Sequence, residues 1–223
     1  YEKPDDYRMT EYIISHESGD QYPVRNIYCV GRNYAGHARE LGNPLLKEPV
    51  FFQKALTCLT TEDRIKLPSD RTIQHEIELV ILISRPGERI TAENAMDYLG
   101  GFALGLDLTD RKLQKELKER KLPWFLSKSF KNSAVVSTFF QPDMGNWSET
   151  FWLKINGNVV QKGQMDDMVF DIPFLIEFLS SRLPLLEGDI VFTGTPEGVG
   201  TVEKGDVLEL GLGESILKTV RFR

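Results

Sequence analysis

Two glutamates stand in an otherwise apolar stretch, IQHEIELVILI, whose β-branched residues are typical of a strand. Side chains alternate between the two faces of a strand, so Glu76 and Glu78 share one face and Ile77 lies on the other. On a surface strand, both carboxylates would simply be solvated. However, residues 80–83 are apolar at every position, which indicates that both faces are buried. Two carboxylates in such a place would share a proton or bind a cation.

Asp107 is the candidate for a third ligand. It ends the apolar stretch FALGLD, and a charged segment typical of an amphipathic helix follows it. Asp107 could instead cap that helix, a role that Thr109 and Asp110 fit equally well. Three carboxylates favour Mg²⁺ or Mn²⁺ over Zn²⁺, and Ca²⁺ can occupy such a site in crystals. His75 precedes Glu76 and therefore points to the opposite face of the strand, which leaves it outside the site.

His37 and Glu40 are the next candidates. They lie in NYAGHARELG, which is typical of a short helix closed by Gly42. Residues three apart on a helix are neighbours, so the Glu40 carboxylate could orient the His37 imidazole. An imidazole held in this way is a suitable general base for activating water near neutral pH. The alternative is a solvated helix face on which Glu40 stands beside Arg39.

Four further polar residues are candidates for binding an anionic substrate. If the helix includes Asp107, then Arg111 and Gln114 share its face at i+4 and i+7, although Arg111 could equally be a solvated charge. Lys128 lies among aromatic and apolar neighbours in WFLSKSF, where an unpaired ammonium group is costly. The glycine-rich segment TGTPEGVG lacks the ending of a phosphate loop and is predicted to be a turn between strands. Its backbone N–H groups and the Thr195 hydroxyl could still bind a carboxylate.

The remaining sequence predicts the elements that position these residues. Strands are indicated by RNIYCVG, EPVFFQKAL, RTIQHEIELVILI and FALGLD, and a hairpin by Asn156-Gly157 between alternating apolar residues. Helices are indicated by TAENAMDYLGGF, by the charged segment after Asp107 and by DIPFLIEFLSSRL. The chain is therefore predicted to be α+β and mostly β, a sandwich or rolled sheet with peripheral helices, over residues 24–223. The polar residues 1–23 are expected to form a peripheral strand or an arm.

Composition excludes several classes of partner. The 223 residues carry a formal net charge of −6 without a dense basic run, which disfavours nucleic acids and anionic membranes. No apolar run approaches the roughly 20 residues that a membrane span needs. The two cysteines, Cys29 and Cys58, have no metal-ligand spacing and are expected to be buried reduced thiols. We therefore expect a cytoplasmic protein, or a mitochondrial matrix protein if the source is eukaryotic.

Seven segments together resemble the fumarylacetoacetate hydrolase family, most closely its single-domain branch of acylpyruvate hydrolases and oxaloacetate decarboxylases. They follow the family's order, and the resemblance covers nearly everything from Val24 to Leu210: CVGRNYAGHARELG, EPVFFQK, HEIELVILI, MDYLGGFALGLDLTDRKLQ, LPWFLSKSF, LKINGNVVQKG and LEGDIVFTGTPEGVG. The combination is specific, although each piece alone is weak. The family commonly has Pro after the lysine of the FxK segment, whereas Ala55 follows Lys54 here. Lys54 is therefore left outside the predicted site.

The resemblance implies a mixed β-sandwich roll, a homodimer and a set of site residues. It implies Mg²⁺ or Mn²⁺ bound by Glu76, Glu78 and Asp107. It implies that His37 and Glu40 form a catalytic pair that activates water, on a segment that orders as a lid over the substrate. The residues implied to hold a small 2-oxo acid substrate are Arg111, Gln114, Thr195 and Lys128, of which Lys128 is also expected to be catalytic.

The reaction implied first is hydrolysis of the carbon–carbon bond of acylpyruvates, which are β-diketone 2-oxo acids. His37 would deprotonate the attacking water, and the metal and Lys128 would stabilise the negative charge of the expelled pyruvate enolate. Oxaloacetate decarboxylation and tautomerisation use the same enolate and are alternatives, as is isomerisation or decarboxylation of a diacid from aromatic catabolism. An alternative of another class is a non-catalytic β-roll that binds metal, in which His37 would have no task.

Overall fold

The computed structural model describes residues 11–40, 46–142 and 147–223, apart from the side chains of residues 37–39. Strands dominate these ranges. They are β1 (Ile13–Ser15), β2 (Gln21–Pro23), β3 (Ile27–Gly31), β4 (Val50–Lys54), β5 (Leu59–Thr60), β6 (Arg64–Ile65), β7 (Ile73–His75), β8 (Ile77–Ile83), β9 (Leu99–Asp107), β10 (Thr109–Asp110), β11 (Ala134–Val136), β12 (Phe151–Ile155), β13 (Asn158–Gly163), β14 (Ile190–Phe192), β15 (Gly200–Thr201), β16 (Val207–Leu212) and β17 (Ser215–Phe222).

Most of these strands belong to two large sheets. The first has seven strands in the order β4-β3-β14-β8-β9-β11-β5, and it is mixed, with parallel pairs at β3–β14 and β5–β11. The second has five strands in the order β13-β12-β16-β17-β6. Apolar side chains of both sheets meet in one core, as with Leu104 of β9, Leu153 of β12 and Leu210 of β16. The predicted mixed, mostly β sandwich is thus confirmed.

Strand β8 is buried on both faces, as its apolar run predicts. Leu79 and Ile81 belong to the core between the sheets, whereas Val80 and Leu82 belong to a second apolar cluster on the opposite face. The single strand predicted over residues 71–83 is nevertheless two strands. It breaks at Glu76, because β7 pairs with β10 and β15 in a separate three-stranded sheet while β8 enters the seven-stranded sheet.

An antiparallel hairpin of β1 and β2 covers the second apolar cluster. Ile14 of this hairpin is completely buried, and Tyr12 and Tyr22 pack against the same cluster. Part of the polar segment 1–23 therefore adds to the core. That residues 24–223 form a catalytic domain by themselves stays a prediction.

The helices are short. They include α1 (Ala35–Glu40), α2 (Arg111–Glu119), α3 (Phe125–Lys128) and α4 (Ile172–Ser180). The Asp110 carboxylate accepts the Leu113 N–H at 3.1 Å and caps α2. The cap role that was open to Asp107 is thus filled by Asp110, and Asp107 lies in β9 rather than on a helix face.

Two predictions about local structure have different outcomes. Asn156 and Gly157 have φ of 50° and 84° between β12 and β13, so the predicted hairpin turn is confirmed. The helix predicted to start in TAENAMDYLGGF does start there, with Thr91 as its N-cap and Glu93 in its first turn, but it is short. Only a 3₁₀ helix, Ala92–Tyr98, forms there, because the following residues pair with β8 as β9 and leave no length for further helical turns.

Both cysteines are free and buried, which confirms the expectation of reduced thiols. Burial raises the pKa of the Cys29 thiol well above its ordinary value, so the thiol is neutral. Among the described ranges, none of the helices has both the length and the apolar character that crossing a bilayer requires.

Candidate active site

Three carboxylates meet where β8 begins and β9 ends. Glu76 lies in the break between β7 and β8, Glu78 is the second residue of β8, and Asp107 is the last residue of β9. The Asp107 N–H donates to the Glu76 carbonyl at 2.9 Å, and this bond fixes the two chains side by side. One oxygen of each carboxylate lies within 4.8 Å of the others, and none of the three residues is more than 5% exposed. Adjacent strands thus bring together the three predicted metal ligands.

Three cations neutralise these carboxylates. The Lys128 ammonium lies 2.7 Å from Glu76 Oε2 and 2.6 Å from Asp107 Oδ2, so it bridges the two residues. The Arg111 guanidinium contacts the other Glu76 oxygen, Oε1. The Lys54 ammonium lies 2.7 Å from Asp107 Oδ1. Both oxygens of Glu76 and both oxygens of Asp107 therefore face a cation, and Lys128 is shared between the two residues.

Lys54 contacts the carboxylate cluster, contrary to the prediction that it lies outside the site. Its ammonium is buried and also donates to the carbonyl oxygens of Leu108, at 3.1 Å, and Lys128, and to Ser133 Oγ at 3.2 Å. The contact with Asp107 spans the sheet, since β3, β14 and β8 stand between β4 and β9 in the strand order. The sequence contains one indication of this role. Lys54 ends the mostly apolar strand VFFQK, and a lysine that is buried with such a strand requires a charged partner.

The charges of this cluster shift the ionisation of its members. Burial raises the pKa of the Glu78 carboxyl well above its ordinary value, and the nearby Asp107 and Glu76 carboxylates raise it further. Burial alone would lower the pKa of the Lys128 ammonium, but Asp107 and Glu76 raise it above its ordinary value. Lys128 is therefore a permanent cation, and Glu78 is a carboxyl that gains from a positive neighbour.

The donor set fits a hard divalent cation. The three candidate ligand residues offer carboxylate oxygens alone, which Mg²⁺ and Mn²⁺ prefer, and they include neither Cys nor His. A cation among them would relieve the mutual repulsion that raises the pKa of Glu78. His75, which the sequence analysis left out, turns away to Gln161, so the structure keeps it out of the cluster.

The TGTPEGVG segment is a loop between β14 and β15, as predicted, and it holds one of the carboxylates. The Gly194 N–H donates to Glu78 Oε2 at 2.7 Å. Gly194 has φ of +107°, and a Cβ there would lie 2.8 Å from the Asn33 Cβ, so both conformation and space require glycine. The Thr195 hydroxyl donates to the Ile77 carbonyl at 2.8 Å. Among the carboxylates that the backbone of this loop binds is thus the protein's own Glu78.

A buried amide fixes the backbone between the two glutamates. Gln161 Oε1 accepts from the Ile77 N–H at 3.1 Å and from His75 Nδ1 at 2.8 Å. Gln161 Nε2 donates to Thr195 Oγ1 at 2.9 Å and to the Pro196 carbonyl at 3.0 Å. All four hydrogen-bonding positions of the amide are thereby used. Burial lowers the pKa of His75, so the imidazole is neutral and donates through Nδ1.

We predict that Gln161→Leu lowers the free energy of unfolding by about 3 kcal/mol, because buried donors at His75 and Ile77 lose their acceptor. Urea denaturation measures the change. Gln53→Leu places the same substitution at an exposed strand position and should change the stability by less than about 0.5 kcal/mol. Similar small changes in both variants would contradict the assigned role of the amide.

Helix α1 carries His37 and Glu40, three residues apart as the sequence predicts. The Glu40 carboxylate accepts the Gly198 N–H at 3.2 and 3.3 Å, so α1 lies against the loop that holds Glu78. The side chain of His37 lies outside the described residues. The orientation of its imidazole by Glu40 therefore stays a prediction.

A narrow cleft opens beside the carboxylates. Six predicted residues line it: Glu76, Glu78, Arg111, Gln114, Lys128 and Thr195. Arg111 and Gln114 share a face of α2, and the Arg111 guanidinium donates to Gln114 Oε1 at 2.6 Å. Six other lining residues were not predicted from the sequence: Val30, Gly31, Arg32, Phe52, Lys118 and Trp124. Lys118 had a usable signal, because it follows Arg111 and Gln114 on the same helix face at i+7 and i+4.

Comparison with known proteins agrees with this geometry. The family model described as fumarylacetoacetate (FAA) hydrolase C-terminal matches residues 26–221. Oxaloacetate tautomerase FAHD1, mitochondrial, of Rattus norvegicus is 43% identical over 203 residues, covering 89% of this chain and 91% of that protein. Oxaloacetate decarboxylase, mitochondrial, of Dictyostelium discoideum is 40% identical over 195 residues, covering 84% and 88%. The crystal structure of fumarylpyruvate hydrolase from Pseudomonas aeruginosa in complex with Mn²⁺ and pyruvate is 34% identical, with a TM-score of 0.87 and coverage of 98% and 99%.

Proposed function

Since the chain belongs to the fumarylacetoacetate hydrolase family, we propose that it is a divalent-metal-dependent enzyme that acts on small 2-oxo acids through enolate chemistry. The observation that carries the proposal is the buried cluster of three carboxylates beside the cavity. Tautomerisation of oxaloacetate is the first candidate reaction, because relatives that match most of the chain are named for it. Acylpyruvate hydrolysis is the second, because a structural relative is a fumarylpyruvate hydrolase.

Charge balance supports an anionic substrate. With all three carboxylates ionised, as metal binding requires, the three negative charges of Glu76, Glu78 and Asp107 equal the three positive charges of Lys54, Lys128 and Arg111. A divalent cation held by the three carboxylates would leave the cluster with two positive charges. A dianionic 2-oxo acid in the adjoining cavity would restore neutrality, which favours its binding in a buried place. A bound Mg²⁺ or Mn²⁺ would supply Lewis-acid stabilisation of negative charge on the substrate oxygens.

The protein's own side chains supply orientation and a fixed positive charge. Lys128 stays protonated and lines the cavity, so it favours an enolate oxygen over a neutral carbonyl oxygen. Arg111 and Gln114 hold each other on one face of α2, and we assign them to contacts with the substrate carboxylate. Thr195 is held by Gln161 and presents a fixed hydroxyl at the same cavity.

Proton transfer requires a different group. Lys128 is a permanent cation, and His75 is committed to Gln161, so neither residue is a suitable base. His37, with Glu40 beside it in α1, is the proposed base, for water in hydrolysis or for a substrate carbon in tautomerisation. The non-catalytic alternative gives these two residues no task.

The experiment that tests the function is a substrate panel on protein treated with EDTA and then supplied with Mg²⁺ or Mn²⁺. Oxaloacetate tautomerisation and decarboxylation and acetylpyruvate hydrolysis are followed separately by absorbance. We expect activity that depends on the metal, with tautomerisation fastest. Equal rates with and without EDTA would exclude the metal, and no rate above background for any substrate would favour the non-catalytic roll.

His37→Ala separates hydrolysis from decarboxylation. Hydrolysis of acetylpyruvate needs an activated water and is expected to fall about a hundredfold or more, the usual scale for loss of a general base. Decarboxylation of oxaloacetate needs no water and should fall less, so it is the control within the same variant. Equal losses in both reactions would assign His37 to binding instead. The homodimer implied by the resemblance also stays a prediction, which analytical ultracentrifugation tests.

A further inference from the structure

One part of the cavity wall has positive charge without a carboxylate to balance it. The cations Lys54, Lys128 and Arg111 each contact a carboxylate. Lys118 and Arg32 line the same cavity, and neither forms an ion pair with an acidic residue in the described part of the chain. An unbalanced cation beside a concave surface is a place where an anionic group of a ligand binds favourably.

Helix α2 determines where Lys118 stands. Arg111, Gln114 and Lys118 follow one another at i, i+3 and i+7, so their side chains lie along one face of the helix. Four residues of helix rise by about 6 Å, which places the Lys118 backbone one turn beyond Gln114. This face of α2 thus begins with the Arg111 guanidinium, which contacts Glu76, and ends with the Lys118 ammonium group, and both residues line the cavity.

An aromatic ring supports this ammonium group. Lys118 Nζ lies 4.9 Å from the centroid of the Trp124 ring, a cation–π contact that keeps the charge without neutralising it. Trp124 is itself held edge-on against Phe52, with ring centroids 6.0 Å apart. Burial lowers the pKa of Lys118 to about 8, and the nearby charges of Arg111 and Arg32 lower it further, whereas the Glu76 carboxylate opposes the shift.

We propose that Lys118, supported by Trp124, is a specificity-determining residue that binds a second carboxylate at the far end of the substrate. The inference rests on the proposed function, in which the 2-oxo acid end of the substrate lies at the metal ligands. The protein should therefore bind 2-oxo diacids more tightly than 2-oxo monoacids of the same length. Lys118 stands one helical turn beyond Gln114 on α2, so we expect its substitution to change the choice of ligand.

The test uses two ligands that differ only at the far end. 2-Oxoglutarate carries a terminal carboxylate where 2-oxovalerate carries a methyl group, and each is titrated calorimetrically into the Mn²⁺-loaded protein. We expect the wild type to bind 2-oxoglutarate about tenfold more tightly. Lys118→Met keeps the aliphatic stem and should reduce the ratio of the two affinities to about one. Lys118→Arg keeps the charge and should retain most of the preference.

Lys115→Met is the matched control, because it removes the same charge from an exposed position of the same helix and should leave the ratio unchanged. A preference that persists in Lys118→Met, or that is lost equally in Lys115→Met, would overturn the inference. Oxalate, which can chelate a metal but has no far end, separates the two proposals. Mn²⁺-dependent oxalate binding without a diacid preference overturns the role of Lys118 alone. Absence of any Mn²⁺-dependent binding, oxalate included, overturns the proposed metal site as well.

Discussion

Replacing Glu78 with Gln is expected to lower the metal-dependent activity by about a hundredfold to a thousandfold without destabilising the metal-free protein. Glu78 is the most suitable candidate ligand to change, because its carboxylate accepts a hydrogen bond from a backbone group, the Gly194 N–H. Gln retains an oxygen that can accept that N–H. The substitution therefore removes a charged ligand and leaves the ion pairs of Glu76 and Asp107 in place.

The stability of this variant follows from the cost of the Glu78 charge. Burial and the neighbouring Asp107 and Glu76 carboxylates all raise the pKa of Glu78, so its ionised form is disfavoured in the metal-free protein. A neutral amide avoids this cost, and we expect the free energy of unfolding in EDTA to stay the same or rise by about 1 kcal/mol. In Mg²⁺ or Mn²⁺ the wild type should be more stable than the variant, since the wild type gains stability from the bound ion.

Urea denaturation with EDTA and with Mn²⁺, together with rates on oxaloacetate, gives the required measurements. Glu119→Gln makes the same change at the exposed end of α2 and should alter neither stability nor rate. If Glu78→Gln keeps the wild-type rate, Glu78 is not a ligand. If it loses several kcal/mol in EDTA, the carboxylate has a structural role that its pKa does not indicate.

The three carboxylates could be predicted from the sequence because each interrupts a strong local pattern. Glu78 stands inside a run of apolar residues, and Asp107 stands where an apolar strand ends before a charged helix. A carboxylate at such a position is expected to be buried with its apolar neighbours, and a buried carboxylate requires a positive partner. The same local logic selects Arg111 and Gln114, since helical spacing is visible in the sequence.

The parts that could not be predicted depend on strand pairing over long distances. Lys54 reaches Asp107 because the sheet curls, and the separation of 84 residues between Gln161 and Ile77 hides their hydrogen bond from any local pattern. The break at Glu76 is another case, because period-two alternation continues through it and only the change of pairing partner reveals it. Alternation gives the face of a side chain, whereas register and sheet order decide which side chains meet.

Replacing Lys128 with Met is expected to destabilise the metal-free protein by about 3–5 kcal/mol, the scale for removing one partner from a buried ion pair. The Lys128 ammonium bridges Glu76 and Asp107 at 2.7 and 2.6 Å, and all three residues are buried. Met fills a similar volume but leaves two carboxylate oxygens without their cation. For a chain of this length, the melting temperature should fall by roughly 10 °C in EDTA. Lys112→Met, at an exposed position of α2, should leave it unchanged.

Mn²⁺ should restore much of this loss if the three carboxylates are its ligands, because the ion brings positive charge to the oxygens that Lys128 has left. We therefore expect Mn²⁺ to raise the melting temperature of Lys128→Met more than that of the wild type, as measured by calorimetry. The catalytic rate of Lys128→Met should not recover with its stability when Mn²⁺ is added. The Lys128 charge beside the cavity favours an enolate oxygen, so the rate on oxaloacetate should remain about a hundredfold below the wild type in saturating Mn²⁺. If Mn²⁺ does not change the melting temperature, the three carboxylates do not bind it. If the rate recovers fully in Mn²⁺, the role of Lys128 is only to hold Glu76 and Asp107 in place.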